Sequence, residues 1–108
     1  MSVQGVITVT INRSQNAITG YTVEGHVNFK LKGEDIVCAA VSTLTQTALL
    51  GLIQYIAPDY SIHDSTLECH LPKLIEATDR IRVNAILDTM ILGLRNIEKN
   101  YPGYMEVV

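Results

Sequence analysis

Cys38 stands in the run Gly33 to Ser42, G-E-D-I-V-C-A-A-V-S, just after two acidic residues that suit the opening turn of a helix. With Asp35 as N-cap, Ile36, Val37 and Cys38 become the first three helical residues, and the sulfur sits among amides that lack helical partners. Such surroundings favour a thiolate and turn a packing cysteine into a nucleophile. The base to test with it is His26, from which Cys38 is separated by eleven residues. That connection permits the imidazole to reach the helix start without requiring it. A thiolate, an imidazole and backbone donors are the parts of an acyl-transfer centre, with the N–H groups of Cys38 and its neighbour as oxyanion donors. Spacing alone also fits a buried structural cysteine. Ser42 follows one turn later on the same helix face, where it either touches the site or bonds its own helix. Asp35 has two roles open to it, capping the helix or orienting His26.

The other reactive residue types carry less. Cys69 alternates with Glu68 and His70 in a strand-like run and reads as structural. The two cysteines form no C-x-x-C pair, so neither a disulfide framework nor a zinc knuckle is expected, and free thiols suit a reducing cytosol. His63, Asp64, His70 and His26 lack the spacing of a metal site, so no metal is expected. Eight basic against 11 acidic residues leave a net charge of −3, which argues against direct nucleic-acid binding. The first eleven residues lack the basic start and continuous apolar run of a signal peptide, and no apolar run approaches the ~18 residues of a membrane span. The expectation is a soluble, cytoplasmic protein with no membrane partner.

The elements that position these residues follow from periodicity. Val3 to Asn12 alternates with period two, polar residues follow from Arg13 to Asn16, and Ala17 to His26 is again β-rich, which predicts an antiparallel hairpin with His26 at its exit. The segment Val27, Asn28, Phe29, Lys30, Leu31, Lys32, Gly33 and Glu34 shows no sustained pattern and reads as a loop long enough to serve function, its Phe29 and Leu31 either meeting a ligand or packing on a neighbour. From Ile36 to Ile56 a helix is apolar on nearly every side, and Ala57-Pro58-Asp59 stops it. Tyr60 to Leu71 holds at least one strand and has room for a small hairpin. Thr78 and Asp79 suit the cap of a second helix, with Ile86, Met90, Leu94, Ile97 and Tyr101 as its apolar stripe, and Tyr104 to Val108 reads as a final short strand.

The 108 residues make one domain, large enough to bury roughly two-thirds of its unfolded surface. The order β-β-α-β-α-β predicts an α+β fold, a small mixed or antiparallel sheet carrying two helices. One sheet covers only one face of an all-round apolar helix, so a second copy of the chain is expected on the other, giving a homodimer.

Gly25-His26, then G-x-D-I-V-C-A-A-V-S from Gly33 to Ser42, then L-G-L-R-N-I-E-K-N-Y-P from Leu92 to Pro102, closely resemble the ribosomal-processing cysteine protease family, Prp, along nearly the whole chain. The resemblance implies a small cytoplasmic bacterial homodimer that removes the N-terminal extension of large-subunit ribosomal protein twenty-seven. Carried over by position, it makes Cys38 the nucleophile and His26 the general base and acid, without cofactor. It also makes Val27 to Glu34 a mobile segment that orders on substrate peptide. Val27 departs from the pattern, since a small Ala is common there in the family. A reading from another class is a catalytically silent dimeric adaptor that binds a ribosomal or assembly partner through the same groove.

Overall fold

A computed structural model describes residues 6–25 and 34–108, with side chains in the second span from 36 onward. Strand β1 (Ile7–Ser14) turns back into β2 (Ala17–Glu24), and the two pair antiparallel. Gln15 and Asn16 link them at φ 52° and 69°. Two consecutive left-handed residues match a tight turn to the twist of the flanking strands, and Asn tolerates this conformation well. Helix α1 (Glu34–Ile53) follows, then strands β3 (Asp59–His63) and β4 (Thr66–His70), helix α2 (Ala77–Asn100) and strand β5 (Met105–Val107). The Tyr60 to Leu71 segment is thus a hairpin, closed at Asp64 and Ser65 with φ 48° and 66°. The order is β-β-α-β-β-α-β.

The five strands form one mixed sheet in the order β3-β4-β2-β1-β5. Only the β1–β5 pair is parallel. Val9 lies between Val23 and Val107, and Tyr21 between Ile11 and Cys69, so the period-two apolar residues of four strands meet on one face. Both helices cover that face and share its hydrophobic cluster. Thr8, Thr10, Thr22, Glu68 and Glu106 alternate onto the opposite, polar face, which needs no second layer.

Helix α1 sends Val37, Val41, Ala48, Leu49 and Leu52 into the core. By length and composition Ile36–Ile53 would also suffice to cross a membrane, but here it packs against the sheet and α2 as a core helix. Its last turn tightens through Gln54 N–H to Gly51 and Tyr55 N–H to Leu52 before Pro58. Ile36, Leu50 and Ile53 remain on the outer side, exposed by 60%, 63% and 39%, so one chain alone leaves part of this helix uncovered.

Two expectations about helix α2 are corrected. The helix begins at Ala77 after Glu76, whose extended backbone marks the N-cap without a side-chain cap bond, so Thr78 and Asp79 lie inside it. The buried stripe is Val83, Leu87, Met90 and Leu94. Ile86 and Ile97 only flank the core, and Tyr101 is exposed at the C-cap.

Candidate active site

Helix α1 begins at Glu34, which makes Asp35 its second residue and Cys38 its fifth. Asp35 is therefore not the N-cap. In an α-helix with this start the Cys38 N–H reaches back to the Glu34 carbonyl, so it is not among the unpaired amides, which lie one turn earlier. The expectation that Cys38 and its neighbour offer free backbone donors is overturned. The acidic residues misplace the start because they suit both the cap and the first turn. The Asp35 side chain, His26 and the segment Val27 to Gly33 lie outside the described residues, as does the Glu34 side chain.

Cys38 is half-buried on the wall of a cavity of about 240 Å³. Helix α1 builds one side of it with Cys38, Val41, Ser42, Thr45 and Gln46. Ile7 and Val23 of the central strands, with Leu67 of β4, form an apolar side, and Ile62, Ser65 and Thr66 close it from the β3–β4 hairpin. The volume lies below the roughly 300–1,000 Å³ usual for small-molecule pockets, which suits one part of a longer ligand laid across it.

Gly25, the residue before His26, lies on the same cavity wall. Its φ of 107° belongs to the region that favours glycine, and a Cβ there would run into the Val6 carbonyl oxygen. Only a glycine lets β2 end so close to the entry of β1. The described span that contains β2 thus ends, at Gly25, on the wall of the cavity that holds the thiol.

Behind the site a buried hydrogen-bond chain fixes α1 to the sheet. The Tyr21 hydroxyl, on β2, donates to the Thr45 carbonyl at 2.8 Å, and the Thr45 hydroxyl donates to the Val41 carbonyl at 2.8 Å. These bonds satisfy polar groups at the least exposed part of the helix. It is thus Thr45 that bonds back along the helix; the Ser42 hydroxyl makes no hydrogen bond among the described residues and lines the cavity one turn from Cys38.

Cys69 is fully buried beside Tyr21. Burial pushes its thiol up to about 11, against a smaller opposing pull from the Tyr21 hydroxyl. The same burial, with Cys69 nearby, raises the Tyr21 phenol well above its usual range. Cys69 is structural, as its alternation suggests. His63 and His70 pair with neighbouring carboxylates, Asp64 at 3.1 Å and Glu68 at 3.6 Å, and among the described residues no three ligand-type side chains converge as a metal site would need.

Of the residues that line the cavity, sequence reasoning names Cys38 and Ser42 as candidates and Gly25 as part of a motif, but not Gln46 or the hairpin wall. Gly25 is half-signalled by its place beside His26. Nothing in the local pattern connects the β3–β4 turn to a helix start twenty-odd residues earlier, because only the sheet order brings them together.

The molecule is a two-layer α+β domain with a half-buried cysteine on a cavity beside the first turns of its core helix, and its family match places it among the cysteine proteases. Residues 6–106 match the family model of cysteine protease Prp, and the chain belongs to that family. Among its relatives, the ribosomal processing cysteine protease Prp of Bacillus subtilis is 26% identical over 94% of this chain and 96% of its own. That of Mycoplasma genitalium is 30% identical over 92% and 93%. In fold, the chain is similar to the ribosomal processing protease Prp from S. aureus in complex with a substrate peptide, with a TM-score of 0.78, 22% identity and coverage of 95% and 96%. A second crystal structure of that protease holds a covalently linked product peptide and aligns with a TM-score of 0.73 at 24% identity, covering 94% and 95%.

Proposed function

We propose that this chain is a cytoplasmic cysteine endopeptidase that removes the N-terminal extension of bacterial large-subunit ribosomal protein twenty-seven and so supports ribosome assembly. The observation that supports the reading is the shared cavity of Cys38 and Gly25, the residue that precedes His26 in the sequence. The names of its relatives supply the substrate class, and the covalently linked product peptide of the S. aureus protein agrees with nucleophilic catalysis.

In this reaction His26 takes the Cys38 proton and the sulfur attacks the scissile carbonyl carbon. The C–N bond then breaks, and His26 returns the proton to the leaving amine. Water, deprotonated by His26, hydrolyses the thioester, which releases the new carboxylate and restores the Cys38 thiol. As the second residue of α1 rather than its cap, Asp35 orients the imidazole, and Ser42 supplies a hydroxyl donor one turn from the sulfur. Val27 to Gly33 is the substrate loop that orders on the peptide; Glu34, expected at its end, opens helix α1 instead. The active particle is a homodimer joined through the outer face of α1, where Leu50 and Ile53 await cover.

Incubation with the extended ribosomal protein tests the reading. The parent removes the extension, Cys38→Ala leaves the substrate intact, and His26→Ala slows processing by roughly 100-fold or more. Intact substrate after incubation with the folded parent protein contradicts it.

A further inference from the structure

The cavity wall made by α1 carries a polar row beside Val41, on a helix whose remaining positions are mostly apolar, with Thr43 and Thr47 among the exceptions. Ser42, Thr45 and Gln46 follow Cys38 at four, seven and eight positions, and all of them line the cavity. Facing them are Ile7, Val23, Ile62 and Leu67, with Ser65 and Thr66 at the hairpin edge. A cavity with a polar row on one wall and a mainly apolar wall opposite matches an extended peptide, which presents backbone groups to one side and a side chain to the other.

The three polar residues are not equivalent. The Thr45 hydroxyl hydrogen is committed to the Val41 carbonyl at 2.8 Å, which leaves only acceptor capacity. Ser42 is already assigned to the thiol. Gln46 is exposed, and its carboxamide makes no hydrogen bond among the described residues. It offers a donor and an acceptor together, the complement of a peptide group. Eight residues of helix place it about 12 Å along the axis from Cys38. An extended chain covers that distance in about three to four residues.

On the reading that this cavity binds substrate at Cys38, we propose that Gln46 is a substrate-positioning residue whose carboxamide hydrogen-bonds the peptide backbone three to four residues from the scissile bond. It holds the chain equally before and during reaction, so its contribution appears in KM rather than kcat.

The test uses synthetic peptides spanning the cleavage junction of the extended ribosomal protein, either long on both sides or cut to two residues on one side or the other. Gln46→Met keeps the length of the side chain and removes its polar atoms at an exposed helix position. Its KM for the long peptide rises about fivefold with kcat unchanged. One of the two truncated peptides, having lost the residue that Gln46 meets, is cleaved equally well by parent and variant. A KM within twofold of the parent on the long peptide overturns the proposal, as does an equal rise on every peptide. Fluorescence anisotropy of the labelled long peptide on Cys38→Ala protein, with and without Gln46→Met, separates this from the protease reading. If the parent cleaves nothing, that reading fails, whereas weaker binding with Gln46→Met still supports the contact and unchanged binding overturns it.

Discussion

Cys69 sits in the core between β2 and β3 with Tyr21 against it, while Cys38 stands half-buried where a ligand can reach. Both are thiols in apolar company, so their types alone do not separate them; burial does, complete for Cys69 and partial for Cys38. Burial raises the Cys69 thiol from 9.0 to about 11, so the folded protein keeps a proton that the unfolded chain releases in that interval. The stability tied to this proton is fully present below pH 9 and is lost as the pH rises toward 11. Urea unfolding across that range is therefore expected to show a fall in stability that is shallower in Cys69→Ala, by up to one proton. Parallel pH slopes in the two proteins would show that Cys69 is not the group responsible. Asp35 shows the limit of residue-level reasoning. Its type is right for a cap, but the helix starts one residue before it.

Among the elements, the hairpins are the most legible because period two and left-handed turn residues act locally. The parallel pairing of β5 with β1 has no local signal. It depends on Ile11 N–H reaching the Val108 carbonyl and Ile7 N–H reaching that of Tyr104 after α2 has crossed the sheet. Arg95 and Glu98 then hold β5 from the helix side, bonding the Val107 carbonyl at 3.1 Å and its N–H at 2.9 Å. The stripe of α2 is misjudged for a different reason. Aliphatic residues occupy several faces, and only the sheet beneath selects Val83 and Leu87 over Ile86 and Ile97. Helix α1 is held to the sheet partly by the Tyr21 hydroxyl on the Thr45 carbonyl. Tyr21→Phe fills the same space without this bond, and a loss of about 1 kcal/mol in urea unfolding is expected. Unchanged stability would mean that the bond adds nothing net to the packing of the ring.

At the scale of the whole molecule, the α+β class and the two-helix layer are legible from the order of elements, and the family from three motifs spread along the chain. The cavity is not, since it exists only where β2, the start of β1, the β3–β4 turn and α1 converge. Reading α1 as apolar on nearly every side passes over Ser42, Thr45 and Gln46, a row that makes sense only once that cavity is seen. The assembled account makes one thiol of two the centre of the activity. Partial alkylation with iodoacetamide near neutral pH, followed by peptide mapping and an assay on the extended ribosomal protein, tests this most directly. Cys38 is expected to be labelled first, Cys69 to stay unlabelled in the folded protein, and processing to fall in proportion to the labelled fraction of Cys38. Full processing by protein whose Cys38 is completely alkylated would contradict the account.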